Sequence, residues 1–184
     1  MRIITGLYKG KKLFTLEGVT TRPTTDFIRE MIFSTLYDLD VDMTNVLDLY
    51  SGCGSLGLEA LSRGADKVTF VEGSKKAVST LIANLEHLRC KDRCKIELKK
   101  VETFLKHEND NIYNLVFIDP PYDKGLVNIT LGLLLDTFSM SLHKDCVIVV
   151  EHSYDEPIDE CFKEFIIKEK VNKPIVVTFL GNKR

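Results

Sequence analysis

Four consecutive residues, Asp119-Pro120-Pro121-Tyr122, combine a carboxylate, two rigid backbone positions and an aromatic ring. They follow the apolar run 115–118, whose length and composition are typical of a buried β-strand. Each proline fixes its own φ and lacks a backbone donor, and Pro121 also restricts the residue before it, so the turn is stiff. Such a turn can stack a planar, amine-bearing base on the ring while the carboxylate accepts the amine hydrogens. Taken alone, however, the four residues are more typical of an ordinary turn at the end of a strand.

A glycine-rich loop upstream favours a functional role for this turn over an ordinary turn at the end of a strand. Gly52, Gly54 and Gly57 follow the predicted strand 46–50 with the spacing G-x-G-x-x-G, the pattern of a nucleotide-binding loop that opens a helix. Glu72 ends the next predicted strand, at about the offset expected of an acid that binds a ribose. The sequence therefore predicts a nucleoside site built on this loop.

Three acids at strand ends narrow the choice of ligand. Asp48, Glu72 and Asp119 each lie at the carboxyl end of a predicted strand, which is the edge where open α/β sheets bind ligands. A carboxylate just before the glycines does not favour the pyrophosphate of a dinucleotide. S-adenosylmethionine has no phosphate and carries a sulfonium and an ammonium group, so Asp48 favours this methyl donor over NAD. The residues predicted to bind it are Asp48, Ser51, Gly52, Cys53, Gly54 and Glu72. Capping of the loop by Asp48 and of the next helix by Glu72 are structural alternatives that remain open.

Composition predicts a single globular domain. The 184 residues are 44% hydrophobic and 28% charged, which is ordinary for such a domain, and the net charge is −2. No stretch is long and apolar enough for a membrane span or a signal peptide. The five cysteines are odd in number and lack zinc-ligand spacing. We therefore expect no metal site, no membrane partner and a cytoplasmic location.

The order of the segments predicts an α/β fold with a doubly wound, mostly parallel sheet. Two apolar tail segments, 165–167 and 175–179, are joined by a short polar link, so we expect an antiparallel hairpin at the sheet edge. We predict one domain, 1–184, in which 1–22 form a β-hairpin or arm and 24–184 form the catalytic core. The other predicted strands are 46–50, 67–72, 95–98, 115–118 and 146–151, and the predicted helices are 24–39, 55–63, 74–88, 101–106 and 127–138.

Positive charge is concentrated near the N-terminus. Residues 1–35 hold six basic and three acidic residues, whereas the rest of the chain is acidic. Lys9, Lys11 and Lys12 near the tip of the arm, together with Arg22, are candidate contacts to the phosphates of a nucleic acid. A solvated surface explains these charges equally well.

Four segments together closely resemble the RsmD family of bacterial 16S ribosomal RNA guanine-N2 methyltransferases. They are Arg2 to Gly6, Thr21 to Glu30, Asp48 to Ala65 and Asp119 to Tyr122. The resemblance implies a class I methyltransferase fold with an N-terminal β-hairpin, S-adenosylmethionine as cofactor, and 16S ribosomal RNA within the 30S subunit or an assembly intermediate as partner. It also implies that Arg22 and Thr24 lie near the methionine end of the cofactor or near the target nucleotide. Helix capping by Thr24 and a surface position for Arg22 are the structural alternatives.

The sequence departs from this family at several positions. Cys53 stands where serine is usual and Ser51 where alanine is common, but both are small enough to keep the loop. Tyr122 replaces a frequent phenylalanine and keeps a stacking face. Relatives often place an aspartate that contacts the adenine amine at the position of Lys100, and Glu102 follows two residues later. The adenine contact is therefore open, with Glu102 as the acidic candidate.

The expected reaction is methylation of the exocyclic N2 amine of a guanine. Asp119 and the Pro120 carbonyl would accept its hydrogens and direct the lone pair toward the sulfonium methyl. Tyr122 would stack on the base, which must be unpaired or flipped out. The same motif serves adenine-N6 and cytosine-N4 methylation of DNA, so it does not name the base. A NAD-dependent oxidoreductase and a non-catalytic RNA-binding module are alternatives from other classes.

Overall fold

The structure is a computed structural model that describes residues 1–16, 26–107, 110–122 and 124–181. The described residues form seven strands and five α-helices. The strands are β1 (Asn45–Leu49), β2 (Lys67–Glu72), β3 (Cys94–Leu98), β4 (Tyr113–Ile118), β5 (Leu142–Ser153), β6 (Ile166–Asn172) and β7 (Ile175–Gly181). The helices are α1 (Asp26–Asp38), α2 (Ser55–Ser62), α3 (Lys75–Leu88), α4 (Val101–Phe104) and α5 (Leu126–Leu135).

All seven strands belong to one sheet, in the order β3-β2-β1-β4-β5-β7-β6. Strands β1 to β5 pair in parallel, and β7 runs antiparallel to both β5 and β6. The predicted doubly wound sheet with an antiparallel edge hairpin is therefore confirmed. Helices α1, α2 and α3 contribute to the hydrophobic core on one face, and α4 and α5 contribute to the core on the other.

The central strands are apolar because both of their faces are covered. Every residue of β4 is buried, as are residues 46–49 of β1. The order of the sheet reverses between β1 and β4, and their register pairs Leu49 with Ile118. The chain therefore leaves these two adjacent strands at the same edge, which is where the crevice of a doubly wound sheet opens.

The N-terminal arm doubles back on itself in a short antiparallel pairing, in which the Ile3 N–H donates to the Lys11 carbonyl over 2.9 Å and the Leu13 N–H donates to the Met1 carbonyl over 3.1 Å. Arg2 and Lys12 form an isolated antiparallel bridge, and Gly10 N–H donates to the Ile3 carbonyl over 2.9 Å. Regular pairing stops because other backbone donors of the arm turn to helix α2. Glu59, which is fully buried, accepts hydrogen bonds from the Ile4 and Thr5 N–H groups over 2.8 and 3.0 Å. The remainder of the predicted arm, from residue 17, lies outside the described residues.

Candidate active site

The three glycines of the loop after β1 serve different purposes. A Cβ added to Gly54 would lie 2.4 Å from Leu81 Cδ1, and one added to Gly57 would lie 2.4 Å from Phe70 Cε1. These two glycines therefore allow the loop and α2 to pack on their neighbours. Gly52 has a φ of 54°, and a Cβ there would meet only the Tyr50 carbonyl, at 4.0 Å. Gly52 is thus the position where a ligand can approach the backbone.

Glu72 fixes this loop from the neighbouring strand. Its Oε2 accepts a hydrogen bond from the Gly52 N–H over 2.9 Å, and its Oε1 accepts one from the Ser74 N–H over 2.7 Å. One carboxylate therefore holds both the glycine loop and the start of α3. Each carboxylate oxygen has a second lone pair, so these bonds leave capacity for the hydroxyls of a ribose.

Asp48 lies beneath the loop and is 2% exposed. Its Oδ2 accepts a hydrogen bond from the Gly57 N–H over 2.9 Å, which ties β1 to the first turn of α2. Burial raises the pKa of Asp48 to about 7, the Gly57 hydrogen bond opposes this rise, and the charge of Glu72 adds to it. This hydrogen bond is with the protein backbone, as in the structural alternative in which Asp48 caps the loop.

Ser51 and Cys53 lie on either side of Gly52 in the loop. The Ser51 side chain is buried, and its hydroxyl has no hydrogen-bond partner among the described residues. The Cys53 carbonyl accepts a hydrogen bond from Asn84 Nδ2 over 2.9 Å, and Asn84 also accepts one from the Phe14 N–H of the arm over 2.7 Å. Because a buried hydroxyl is normally satisfied, Ser51 is suited to meet a polar group of a ligand.

The turn after β4 presents its residues at different depths. Asp119 is half-buried, Pro120 is buried and Pro121 is exposed. The half-buried Tyr122 donates its hydroxyl hydrogen to Glu151 Oε1 over 2.6 Å. Asp119 directly follows Ile118, whose partner Leu49 directly precedes the glycine loop region. Adjacent strands lie about 4.8 Å apart, so the turn and the loop face the same crevice.

Glu102, the acidic candidate for the adenine contact, and Lys100, at the position where relatives often have an aspartate, lie at the same edge. A Cβ added to Gly73 would be 3.8 Å from the Lys100 Cα, so Lys100 lies against the end of β2. Burial raises the pKa of Tyr50, and the Glu102 carboxylate adds to that rise, so Glu102 lies near the end of β1. Lys100 thus lies beside the end of β2, and Glu102 lies near the end of β1.

The tip of the arm, which carries Lys9, lies away from this crevice. Lys9, Lys11 and Lys12 are exposed, and the Leu7 N–H donates to the Ser62 carbonyl over 2.7 Å. The tip of the arm therefore lies at the far end of α2, whose 8 residues span about 12 Å from the glycine loop. The predicted contacts Arg22 and Thr24 lie outside the described residues.

Two buried polar residues near the site were not predicted from the sequence. Arg29 is fully buried, and its Nη2 donates to the Arg2 carbonyl over 2.6 Å and to Asp26 Oδ1 over 2.7 Å. Burial lowers the pKa of Arg29, which Asp26 opposes. Glu151, at the end of β5, is 3% exposed. For both Arg29 and Glu151, the sequence signal of a buried polar residue was a charge within the apolar pattern of a helix or strand.

Within the described ranges, no group of three or more His, Cys, Asp or Glu side chains is placed to hold a metal ion. In the same part of the chain, no helix is long and apolar enough to cross a membrane.

Comparison with known proteins gives a consistent result. Residues 1–180 match the family described as Conserved hypothetical protein 95. Ribosomal RNA small subunit methyltransferase D of Haemophilus influenzae is 36% identical over 172 residues, which cover 92% of this chain and 88% of that protein. Its Escherichia coli counterpart is 38% identical over 136 residues, which cover 74% of this chain and 67% of that protein.

The similarity to these proteins extends to the three-dimensional structure. The solved structure of the Escherichia coli protein yhhF superposes with a TM-score of 0.85 at 33% identity, covering 100% of this chain and 98% of that chain. Both the sequence matches and this superposition span the glycine loop and the Asp119–Tyr122 turn. The chain therefore belongs to the RsmD family, as its sequence segments indicated.

Proposed function

We propose that this protein transfers a methyl group from S-adenosylmethionine to the N2 amine of a guanine in 16S ribosomal RNA. The observation that carries the proposal is the pairing of Leu49 with Ile118, which makes the glycine loop and the Asp119–Tyr122 turn neighbours at one sheet edge. Family membership supports the same function, since similar proteins are named small subunit ribosomal RNA methyltransferases.

The residues at the loop fit the proposed cofactor. Gly52 gives a ligand access to the backbone, and the buried Ser51 hydroxyl has no described partner. Glu72 is held at the end of β2, where its remaining lone pairs suit a ribose. Asp48 lies behind the loop with a pKa of about 7, and a cationic ligand beside the loop would favour its ionised form. When bound, the cofactor supplies an electrophilic methyl group on its sulfonium.

The Asp119–Tyr122 turn acts on the base. Asp119 and the Pro120 carbonyl accept the amine hydrogens, which leaves the nitrogen lone pair directed toward the methyl group. Alignment of nitrogen and methyl at close approach lowers the barrier, and the carboxylate stabilises the positive charge that develops on the amine. Asp119 then removes the proton. Tyr122 stacks on the unpaired or flipped-out base.

The RNA binds to the arm as well as to this site. Lys9, Lys11 and Lys12 bind phosphates that flank the target, and Arg22 and Thr24 act nearer to the cofactor and the target nucleotide. The substrate is the RNA within a 30S subunit or its assembly intermediate, so the protein works in the cytoplasm. The net charge of −2 supports an assembled substrate, because the protein as a whole does not attract free RNA.

A methyl-transfer assay tests this proposal. Purified protein and labelled S-adenosylmethionine are incubated with 30S particles that lack the modification, with naked 16S RNA, and with unmethylated DNA. We expect label in the small-subunit RNA, mapped to the N2 amine of one guanine, and labelling slower by at least about 10²-fold with an Asp119→Asn variant.

Two results would contradict the proposal. Label found only in DNA would reassign the target to an adenine or cytosine amine. Calorimetry that shows tight NAD binding and no affinity for S-adenosylhomocysteine would indicate an oxidoreductase.

A further inference from the structure

We propose that Glu151 is a positioning residue for the target base, which acts by holding the ring of Tyr122 through its hydroxyl. This inference rests on the proposed function, because it assigns the ring a stacking role. The contact is direct, since Tyr122 donates to Glu151 Oε1 over 2.6 Å. A bond of this length to a carboxylate is a strong one.

Glu151 is itself held in place by the sheet. Its predecessor Val150 pairs with Ile118 of β4, and Glu151 pairs with Val177 of β7. The next residue, His152, is 3% exposed, and its Nε2 lies 2.9 Å from Thr178 Oγ1. The end of β5 is therefore fixed on both sides, so the carboxylate is a rigid anchor rather than a mobile surface group.

This anchor complements the two prolines. Pro120 and Pro121 restrict the backbone of the turn, but they leave the side-chain torsions of Tyr122 free. The hydroxyl bond to Glu151 removes that remaining freedom and keeps the faces of the ring at a fixed position beside Asp119. A platform fixed before the base arrives lowers the ordering cost of binding. A phenylalanine at the same position would offer the stacking face without the anchor.

The register explains why Glu151 is suited to this task. Asp119 follows Ile118, and Glu151 follows Val150, so the two acids are next neighbours on adjacent parallel strands. Asp119 is half-buried, whereas Glu151 is almost completely covered. The more accessible acid is therefore suited to act on the base, and the buried one to act on Tyr122.

A double-mutant cycle tests the inference, with Glu151→Gln, Tyr122→Phe and the double variant. We expect each single change to lower kcat/KM for the RNA by about tenfold, and the double variant to lose no more than either single one. The dissociation constant for S-adenosylhomocysteine should stay unchanged. Glu86→Gln, the same substitution at an exposed position of α3, is the matched control and should keep full activity.

Three outcomes would overturn the inference. These are unchanged kcat/KM in Glu151→Gln, a loss in the double variant equal to the product of the two single losses, and an altered preference between guanine and 2-aminopurine at the target position. The last would mean that Glu151 contacts the base directly, since 2-aminopurine keeps the amine but lacks the adjacent N–H.

A spectroscopic measurement separates this inference from the proposed function. In protein labelled with fluorotyrosine, the ¹⁹F resonance of Tyr122 is assigned through Tyr122→Phe and compared between the wild type and Glu151→Gln. We expect the resonance to move in Glu151→Gln without any RNA present, and an unchanged resonance would refute the anchor. If the wild-type protein methylates no RNA, the proposed function fails, but this measurement still decides whether Glu151 holds the ring.

Discussion

One carboxyl group at the candidate site is buried and has a strongly raised pKa. Asp48 is 2% exposed, and burial raises its pKa to about 7. An aspartate in the unfolded chain has a pKa of about 3.9. The native state thus holds a proton that the unfolded state lacks between these two pH values. The resulting stabilisation is complete below the unfolded pKa and is lost as the pH rises through about 7.

Replacing Asp48 by asparagine should remove this pH dependence. The amide oxygen can still accept from the Gly57 N–H, but the side chain no longer ionises. Relative to Asp48→Asn, we expect the unfolding free energy of the wild type to fall by about 1–3 kcal/mol between pH 5 and pH 8. Urea denaturation of both proteins across this range measures the difference. Parallel curves would show that Asp48 does not ionise in this range.

Replacement of Asp48 is expected to change stability, whereas replacement of Asp119 should change turnover and not stability. Asp119→Asn keeps the shape of the side chain but cannot take a proton or offset the charge on the amine. We expect kcat to fall by about 10²- to 10⁴-fold with unchanged affinity for S-adenosylhomocysteine. Single-turnover assays and calorimetry measure the two quantities. Asp136→Asn, at an exposed position after α5, serves as the control, and a similar loss in both variants would contradict a specific role.

At the scale of elements, the site depends on how closely α2 packs on the sheet. Gly57 lies in the first turn of α2, and a Cβ there would lie 2.8 Å from Val68 and 2.9 Å from Asp48 Oδ2. The N–H that Gly57 donates to Asp48 requires the same close approach. One glycine therefore sets the distance between the helix and the sheet as well as the position of the buried acid.

Gly57→Ala should consequently destabilise the protein. The new methyl group would overlap the Phe70 ring at 2.4 Å, and we expect a loss of about 1–3 kcal/mol in unfolding free energy. Gly132→Ala is the matched control, because a Cβ there would meet only Phe162 at 3.9 Å. In an open helix position alanine is the better helix former, so this control should be neutral or stabilising by up to about 1 kcal/mol. Equal losses in the two variants would refute the packing argument.

The arm is an element of the core rather than a separate appendage. Glu59 binds two of its N–H groups, and Asn84 joins Phe14 of the arm to the Cys53 carbonyl. Deletion of the arm would leave the buried Glu59 carboxylate without two of its donors. Such a deletion would therefore disturb the fold, so the role of the arm in RNA binding is better tested by changing its exposed charges.

At the scale of the whole molecule, the proposed RNA binding depends on a small part of the surface. The net charge is −2, so under this proposal attraction to phosphates comes from local groups such as the exposed lysines of the arm. Lys9 is two residues from Leu7, which bonds to the last residue of α2, so the bound RNA would extend beyond the target nucleotide along the outside of the protein. Binding of this kind weakens with added salt because it releases counterions.

Changing Lys9, Lys11 and Lys12 together to glutamine tests this assignment. We expect a higher KM for the RNA and a logarithmic salt dependence that is shallower by up to about 2–3 units, since each lost phosphate contact contributes about 0.7–0.9. Affinity for S-adenosylhomocysteine should not change. Lys168, Lys170 and Lys173 near the β6–β7 hairpin provide a control triple in a different part of the fold. An equal effect of the control triple would show that the arm has no special role.

The sequence by itself determined the class of fold and the two motifs of the site. Apolar runs separated by helical patterns specify a doubly wound sheet, because parallel strands must be covered on both faces. The glycine spacing and the Asp119–Tyr122 turn are local in the chain, so their chemistry is visible without coordinates. The family segments were visible for the same reason, and the matches over residues 1–180 confirm them.

Only the tertiary structure decided which side chains are buried, which border the crevice and which bond to each other. Asp48 and Asp119 look alike in the sequence, yet one is buried beneath α2 and the other borders the crevice. Glu151 was not predicted at all, because its partner Tyr122 is 29 residues away along the chain. Burial and long-range hydrogen bonding depend on strand order and register. Residue spacing does not encode these, because they arise only when distant segments pack together.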